Sequence, residues 1–319
     1  MTNAIYAVAS DKTFKVAVLT GHGEADVSAL KTVMQEGNYE FAEVKSLVTA
    51  ELPADADIVL IAGPATDYSG TELDKLTAFL AANKESDKGL FYFADSSKPK
   101  LPNLWEFLAE WGIKLHEGVV YETDANYHIQ NEPTVIFASS ASSDYTKALD
   151  EASTDYFYVG QNHQAITRGF ETQDSRETAA VVSFQDSAVM RPYNYGESWK
   201  AETAATDDVF DLAVISKDTQ YEETEPNTSY VAAFSSVDLI SSTWAQYTDV
   251  GNTKMVLSAS NAVVGADSTN ISIASKTIGS NTFTANATVT RIITIIFAAA
   301  LPLAVLAAGL AIWFRRKNL

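Results

Sequence analysis

Three short apolar runs, each closed by a glycine or an aspartate, constrain the fold of this chain more than any other feature. They are Lys15–Thr20 (KVAVLT), Asp57–Ala62 (DIVLIA) and Gly89–Ala94 (GLFYFA). Apolar runs without polar alternation are typical of strands that are buried on both faces, as in parallel sheets. Apolar residues at helical spacing follow the runs, at 25–37, 71–83 and 104–111. The alternation of predicted strands and helices along the chain predicts an α/β fold, in which helices cover both faces of an open, mostly parallel sheet.

The α/β domain is predicted to extend from residue 15 to residue 265. Further strands are predicted at 41–47, 118–121, 211–215 and 230–234, and a last helix at 251–265. Between them, the segment 124–208 mixes short apolar runs with stretches rich in Ser, Thr and Asp. Such stretches are typical of loops. We therefore expect 124–208 to be an irregular insertion in the domain.

The C-terminal segment 291–314 is predicted to be a transmembrane helix. From Ile292 to Phe314 the sequence has 23 residues without a charge. A helix of that length measures about 34 Å, which is enough to cross a hydrocarbon core of about 30 Å. Pro302 within it is tolerable in a membrane helix. The polar segment 266–290 before it is expected to be a stalk.

Basic residues predict the orientation of this helix. Arg315, Arg316 and Lys317 follow it directly, whereas Arg291 alone precedes it. The positive-inside rule places such a cluster in the cytoplasm. We therefore expect a cytoplasmic tail at 315–319 and a single-pass protein of the cell membrane. The bulk of the chain is then extracytoplasmic, and the C-terminal helix contacts membrane lipid.

The N-terminal residues 1–14 do not resemble an export signal, because they have neither a basic region nor a long apolar region. A large extracytoplasmic domain needs such a signal. We expect 1–14 to be the tail of an upstream module that is missing from this chain. The alternative, a tail anchor that leaves the domain inside the cell, conflicts with the position of the basic cluster.

The charge of the chain argues against one class of partner. It has 41 acidic and 22 basic residues, for a net charge of −19. Such a surface is repelled by phosphate backbones, so nucleic acid is not an expected partner. The chain has no cysteine, which excludes disulfides, thiolate metal sites and cysteine nucleophiles.

The loops that follow the three predicted strands form the candidate site. Ligands of open α/β sheets bind in the crevice at the carboxyl ends of the strands. Three groups of residues follow the strands there and form the predicted ligand or partner crevice: Gly21, His22, Gly23 and Glu24; Gly63, Pro64 and Asp67; and Asp95 and Ser96.

The loop Thr20–Glu24 resembles a phosphate-binding turn but lacks its full pattern. A dinucleotide fingerprint needs G-x-G-x-x-G, and Asp26 occupies the position of the third glycine. Glu24 and Asp26 would also repel a phosphate. Three interpretations stay open for this loop: a structural turn, a ligand contact and a catalytic loop. We predict no cofactor and no metal. His22 and Glu24 could bind a metal ion as a pair, but two ligands do not make a site, and no other histidine has a partner at the spacing of a metal motif.

Several segments resemble one protein family. They include KVAVLTGHGE (Lys15–Glu24), LPNLWEFLAEWGIKLHEGVVYE (Leu101–Glu122), YVAAFSSVDLISS (Tyr230–Ser242) and LPLAVLAAGLAIWFRRK (Leu301–Lys317). In this order they resemble the GldG-like auxiliary subunits of gliding-motility-type ABC transporters, also described as an ABC-type uncharacterised transport system domain. The resemblance covers residues 4–317. It implies a flavodoxin-like or class I glutamine amidotransferase-like sheet, related to that of an intraflagellar transport protein. The amidotransferase nucleophile is a Cys, which this chain lacks.

The resemblance implies a non-enzymatic role. Such subunits act beside a permease and a separate nucleotide-binding subunit, and the sequence has no P-loop of its own. The first hypothesis is therefore a non-enzymatic, extracytoplasmic, substrate-binding-like auxiliary subunit of an ABC transporter. The alternative is an extracytoplasmic module that binds a small ligand or a glycan without a transporter role. A third hypothesis is a hydrolase that uses Asp95, Ser96 or His22.

Overall fold

The runs that were predicted to be buried strands form the middle of a large sheet. The structure is a computed structural model. It describes residues 12–82, 87–139, 143–150, 156–204, 208–222 and 225–266, together with residues 297–298, 302–303, 309–310, 312–313 and 315–316. The chain divides into two units, Met1–Ile273 and Ala274–Leu319.

The first half of the domain contains β1 to β5 and three helices. The strands are β1 (Phe14–Leu19), β2 (Tyr39–Val44), β3 (Ile58–Ala62), β4 (Lys88–Phe93) and β5 (Ile113–Glu122). The helices are α1 (Ser28–Gln35), α2 (Gly70–Ala81) and α3 (Pro102–Glu110). The three helices and the strands β1 to β4 lie within a few residues of their predicted positions, whereas β5 begins at Ile113, well before the predicted strand 118–121.

The described residues of the second half form nine more strands and three helices. The strands are β6 (His128–Ile129), β7 (Glu132–Ser139), β8 (Phe157–Gln161), β9 (Gln164–Arg168), β10 (Thr172–Gln173), β11 (Arg176–Ser183), β12 (Ala188–Pro192), β13 (Asp211–Glu222) and β14 (Glu225–Phe234). The helices are α4 (Lys147–Asp150), α5 (Ser242–Ala245) and α6 (Asn252–Val263), with 3₁₀ turns at Ala201–Thr203 and Val237–Ile240.

The main sheet has eight strands and is mixed. Its order is β10-β11-β13-β14-β4-β3-β1-β2. The strands from β14 to β2 are parallel, and β13, β11 and β10 continue the sheet in antiparallel fashion. The expectation of a mostly parallel sheet therefore holds for one half. The other half departs from it because β13 pairs with β14 in antiparallel fashion, in a register that ends with Glu222 opposite Glu225.

Helices cover both faces of the parallel half. Successive strand residues point to opposite faces, so Val16 and Val18 of β1 join one core while Ala17 and Leu19 join another. The first core is completed by α1 and α6, and the second by α2 and α3. This arrangement explains the unbroken apolar runs, because both faces of β1, β3 and β4 are buried.

The segment 124–208 was predicted to be an irregular insertion, but its described part contains regular strands. Seven strands, β6 to β12, lie within its described part. They contribute to two three-stranded sheets of order β12-β5-β9 and β6-β7-β8, and to the edge of the main sheet. The sequence obscures them because they are short and separated by segments rich in Ser and Asp. Their partners are also distant, as in the pairing of Ala188 with Glu122.

No helix within the described residues is both long enough and apolar enough to cross a membrane. The predicted span 291–314, including Ile292 and Phe314, lies outside the described residues apart from a few positions such as Pro302. The expected stalk after residue 266 and most of the segment 1–14 also lie outside them.

Candidate functional site

The loops after β1, β3 and β4 meet at the carboxyl edge of the parallel strands, as the sequence predicts. The main-chain N–H of Ala25 donates to the carbonyl of Ala62 (2.7 Å), and that of Ala65 donates to the carbonyl of His22 (2.7 Å). The N–H of Gly63 donates to the carbonyl of Phe93 (2.8 Å). The β2-β1-β3 order makes the space between β1 and β3 the point where the winding direction changes, which is where such sheets bind ligands.

Two glycines allow these loops to approach closely. A Cβ at Gly21 would lie 2.4 Å from the carbonyl oxygen of Lys45. Gly63 has a φ of +54°, and a Cβ there would lie 2.9 Å from the Cβ of Asp95. A side chain at either position would therefore separate neighbouring loops. These contacts give Gly21 and Gly63 a structural role at the crevice.

His22 lies at the centre of a cluster of buried acids. Its Nδ1 is 3.8 Å from Oε1 of Glu24, and its Nε2 is 3.4 Å from Oε1 of Glu72. The side chain of His22 is 12% exposed, whereas those of Glu24 and Glu72 are 3% exposed. The imidazole is therefore the member of the cluster that reaches the solvent side of the crevice.

The ring of Tyr68 packs against the imidazole of His22. The two rings are stacked with centroids 4.0 Å apart, and the hydroxyl of Tyr68 donates to Oε1 of Glu24 (3.0 Å). Burial, together with the carboxylates of Glu24 and Glu72, raises the pKa of Tyr68 far above its usual value. The hydroxyl therefore stays protonated and remains a hydrogen-bond donor.

Glu72 joins the cluster to the start of α2. Its Oε2 accepts from the main-chain N–H (2.9 Å) and the hydroxyl (2.7 Å) of Ser69. The side chain of Ser69 in turn accepts from the main-chain N–H of Glu72, which completes a capping box at the helix N-terminus. Burial opposes ionisation of Glu72. The hydrogen bonds from Ser69 and the nearby His22 outweigh it, so the pKa of this carboxyl lies below its usual range. Glu24 similarly reaches back to the N–H of His22 (2.7 Å).

Sequence reasoning places Gly21, His22, Gly23 and Glu24 at the crevice, but it misses Tyr68, Ser69 and Glu72. Glu72 was not among the residues predicted to form the crevice. The pattern Ser69-Gly-Thr-Glu72 is a capping-box signature and could have placed the carboxylate back at the N-cap. Tyr68 carries no comparable signal, because a buried tyrosine looks like any other core residue.

Asp67 faces the next helix rather than the opening of the crevice. Its Oδ2 accepts from the N–H of Asn103 (2.8 Å), and its Oδ1 accepts from the N–H groups of Tyr68 (2.9 Å) and Leu104 (3.2 Å). A carboxylate at this position satisfies N–H groups at the start of α3 that have no partner within the helix. Pro64, in the same loop, is buried. Asp67 therefore orients α3 against the loop after β3.

Asp95 and Ser96 continue the crevice wall after β4. Oδ1 of Asp95 accepts from the N–H (3.0 Å) and the hydroxyl (2.6 Å) of Ser97, so this aspartate caps the turn that follows β4. The hydroxyl of Ser96 donates to the carbonyl of Asn162 (2.7 Å), in the turn between β8 and β9. The imidazole nitrogens of His22 lie near the carboxylates of Glu24 and Glu72, whereas the hydroxyl of Ser96 is used by Asn162.

A buried serine–histidine pair, which the sequence did not indicate, lies at the end of β14. Nδ1 of His163 is 2.8 Å from Oγ of Ser235, and both residues are 0% exposed. Burial lowers the pKa of His163 to about 4, so the imidazole is neutral at neutral pH. A nucleophile needs access to substrate as well as a base. The pair joins the β8–β9 turn to the main sheet.

Among the described residues, no group of three or more His, Asp or Glu side chains could hold a metal ion. The His22 imidazole lies in ion-pair range of its two glutamates, and the remaining predicted site residues position the loops. The loops after β1, β3 and β4 therefore form a rim of the crevice that is held by hydrogen bonds. His22 contributes one partly exposed imidazole to this rim.

No protein-family model and no curated protein matches this chain. Among solved structures, it is similar to the N-terminal domain of mmIFT52, with 13% identity over 79% of this chain and 98% of that one and a TM-score of 0.55. It is also similar to a glutamine amidotransferase from Thermotoga maritima, with 10% identity over 79% of this chain and 99% of that one and a TM-score of 0.40. At 13% identity the likeness to mmIFT52 is one of fold.

Proposed function

We propose that this chain is a non-enzymatic auxiliary subunit of a gliding-motility-type ABC transporter, and that its crevice contacts the transporter. In this proposal the α/β domain lies outside the cell membrane and the segment 291–314 anchors it. A separate permease and a separate nucleotide-binding subunit supply the pathway and the energy. The crevice acts by recognition rather than by bond chemistry.

One observation carries the proposal: the polar side chains of the crevice are used to lock its loops together. Glu24, Glu72 and Asp67 each accept hydrogen bonds from main-chain N–H groups of the rim, and Asp95 does so within its own turn. A rim whose loops are fixed in this way loses little conformational entropy when it binds. Such preorganisation favours a binding surface.

The position of the rim supports the same role. It lies at the carboxyl ends of the parallel strands, which is the common binding position in open α/β sheets. The anchor is inferred from sequence alone, from the 23 uncharged residues of Ile292–Phe314 and the basic cluster that follows them.

Recovery of the transporter from native membranes tests the proposal. The full chain carries an affinity tag and is extracted in mild detergent, and the bound proteins are identified by mass spectrometry. We expect a multi-span permease and an ATP-binding subunit at levels comparable to the chain itself. A tagged single-pass protein of the same membrane serves as the control. Recovery of neither subunit above this control would contradict the proposal.

A further inference from the structure

Arg191 on β12 is a cation without a carboxylate partner in the described part of the chain. Its guanidinium carbon lies 4.8 Å from the ring centre of Tyr195 and 5.8 Å from that of Tyr121. By contrast, Arg168 and Arg176 contact the carboxylates of Asp211 (3.1 Å) and Asp218 (3.3 Å). The contrast is informative because the chain has 41 acidic residues and only 22 basic ones.

The two tyrosine rings hold the guanidinium while leaving its N–H groups available. Cation–π contact engages the charge but uses no hydrogen-bond donor in the plane of the group. An arginine carries five such donors, in a fork that matches a carboxylate in two-point contact. Arg191 is therefore preorganised to bind a carboxylate from outside the described part of the chain.

An aromatic loop lies beside this arginine. Trp199 meets the rings of Tyr121 and Tyr195 nearly edge-on, at 5.2 and 6.0 Å between centroids. Tyr195 is 52% exposed. Tyr, Trp and Arg are the residue types that dominate binding energy at protein interfaces. Because the rings brace one another, the loop can offer apolar area at a low entropy cost.

The strand that carries Arg191 has one edge without a strand partner. β12 is the outer strand of the sheet β12-β5-β9, and it pairs with β5 alone among the described strands. An outer strand offers main-chain donors and acceptors to an added strand. A side chain directly opposite Arg191 on such a strand would lie about 5 Å away between Cβ atoms. This distance suits contact with a carboxylate.

We infer that the outer edge of β12, together with Arg191, Tyr195 and Trp199, binds an extended acidic peptide segment of a partner protein. The peptide adds to the sheet as a strand, places a carboxylate on the guanidinium and packs an apolar side chain against the aromatic loop. Because the chain carries a net charge of −19, attraction of the acidic segment depends on the local charge of Arg191 and not on the protein as a whole. The inference does not depend on the transporter role.

Peptide binding to the full chain tests this inference. The probe is a short fluorescent peptide of alternating Glu and Val, compared with the same peptide carrying Gln in place of Glu. Fluorescence anisotropy measures the affinity. We expect the Glu peptide to bind more tightly than the Gln peptide and to weaken as salt is raised. Equal binding of both peptides, or no binding of the Glu peptide up to about 1 mM, would overturn the inference.

Variants of the protein distinguish a specific contact with the guanidinium of Arg191 from a nonspecific effect of net charge. Arg191→Gln should weaken the Glu peptide by about tenfold or more, and Arg191→Lys should fall between that variant and the wild type. The matched control is Lys200→Gln, which makes the same charge change at an exposed position and should stay within about twofold of the wild type. Equal losses in Arg191→Gln and Lys200→Gln would reduce the effect to net charge and overturn the assignment of Arg191.

Two further arms test the strand and the partner. A Glu peptide with methyl groups on alternate main-chain nitrogens cannot form a full ladder, so it should bind more weakly. If it binds equally well, strand addition is wrong. Sedimentation of the protein alone should show no association that depends on Arg191. Self-association that Arg191→Gln abolishes would assign the edge to a second copy of the chain and overturn the proposed partner.

Discussion

The imidazole of His22 is stacked on the ring of Tyr68, with centroids 4.0 Å apart and planes 20° from parallel. The two residues belong to different loops, one after β1 and one after β3, and Glu24 contacts both of them. The stack therefore couples two loops of the crevice. Glu72 extends the coupling to the first turn of α2. The stability of the crevice should depend on this small cluster more than on its exposed residues.

Replacement of Tyr68 by Phe tests that dependence. The ring and its stacking remain, but buried Glu24 loses the hydroxyl that donates to it at 3.0 Å. We expect the free energy of unfolding to fall by about 1–3 kcal/mol, because a buried acceptor is left with fewer partners. Urea-induced unfolding, followed by tryptophan fluorescence, measures the change. Tyr221→Phe is the matched control, since Tyr221 is 76% exposed. Equal stabilities for the two variants would show that the hydroxyl contributes nothing.

Two glycine-to-alanine changes test the packing of the first loop. At Gly21 the new Cβ would lie 2.4 Å from a carbonyl oxygen of the main chain, whereas at Gly70 it would meet nothing within 4 Å. Gly21→Ala should lower the free energy of unfolding by about 1–3 kcal/mol, because the loops must move apart. Gly70→Ala should leave it unchanged or raise it by roughly 0.5–1 kcal/mol, because Gly70 is the first residue of α2. If Gly70→Ala lowered the free energy of unfolding more than Gly21→Ala did, the close approach of the loop after β1 to Lys45 would be refuted.

The buried imidazole of His163 predicts an acid-sensitive domain. Its pKa is about 4 in the folded chain and about 6.5 in an unfolded one. Since the unfolded state binds a proton first, stability should fall as the pH drops from 6.5 towards 4. Between pH 7 and pH 5 this residue alone should remove about 2 kcal/mol from the free energy of unfolding.

The variant His163→Asn isolates this effect, because it keeps a polar group near Ser235 but does not titrate. Urea unfolding of both proteins at the two pH values gives the comparison. The wild type should lose about 2 kcal/mol more than the variant on acidification. Parallel losses in both proteins would show that His163 is not protonated preferentially in the unfolded state.

The sequence predicts the parallel half of the fold well, because a strand that is buried on both faces has an unbroken run of apolar residues. β1, β3 and β4 are apolar along their whole length, and glycine or aspartate follows each of them. The loops that close them therefore lie together at one edge, as expected. The capping role of Asp95 was also predictable, since a short carboxylate after a strand readily accepts from the next turn.

The second half of the fold could not be predicted in the same way. β5 is paired with β12, about seventy residues later in the chain, and no local pattern encodes such a partner. β13 and β14 were each recognised as apolar runs, but not their long hairpin or the parallel pairing of β14 with β4. At the crevice, Tyr68 was missed because its role depends on a stacking partner 46 residues earlier (68 − 22).

Photocrosslinking in native membranes tests the central claim most directly. A photoreactive amino acid replaces Thr66, an exposed residue of the crevice loop after β3, or Thr77, an exposed residue on the outer side of α2. If the crevice contacts a transporter, position 66 should form a crosslink to the permease and position 77 should form little or none. A permease crosslink that is absent from position 66, or equally strong from both positions, would contradict the account.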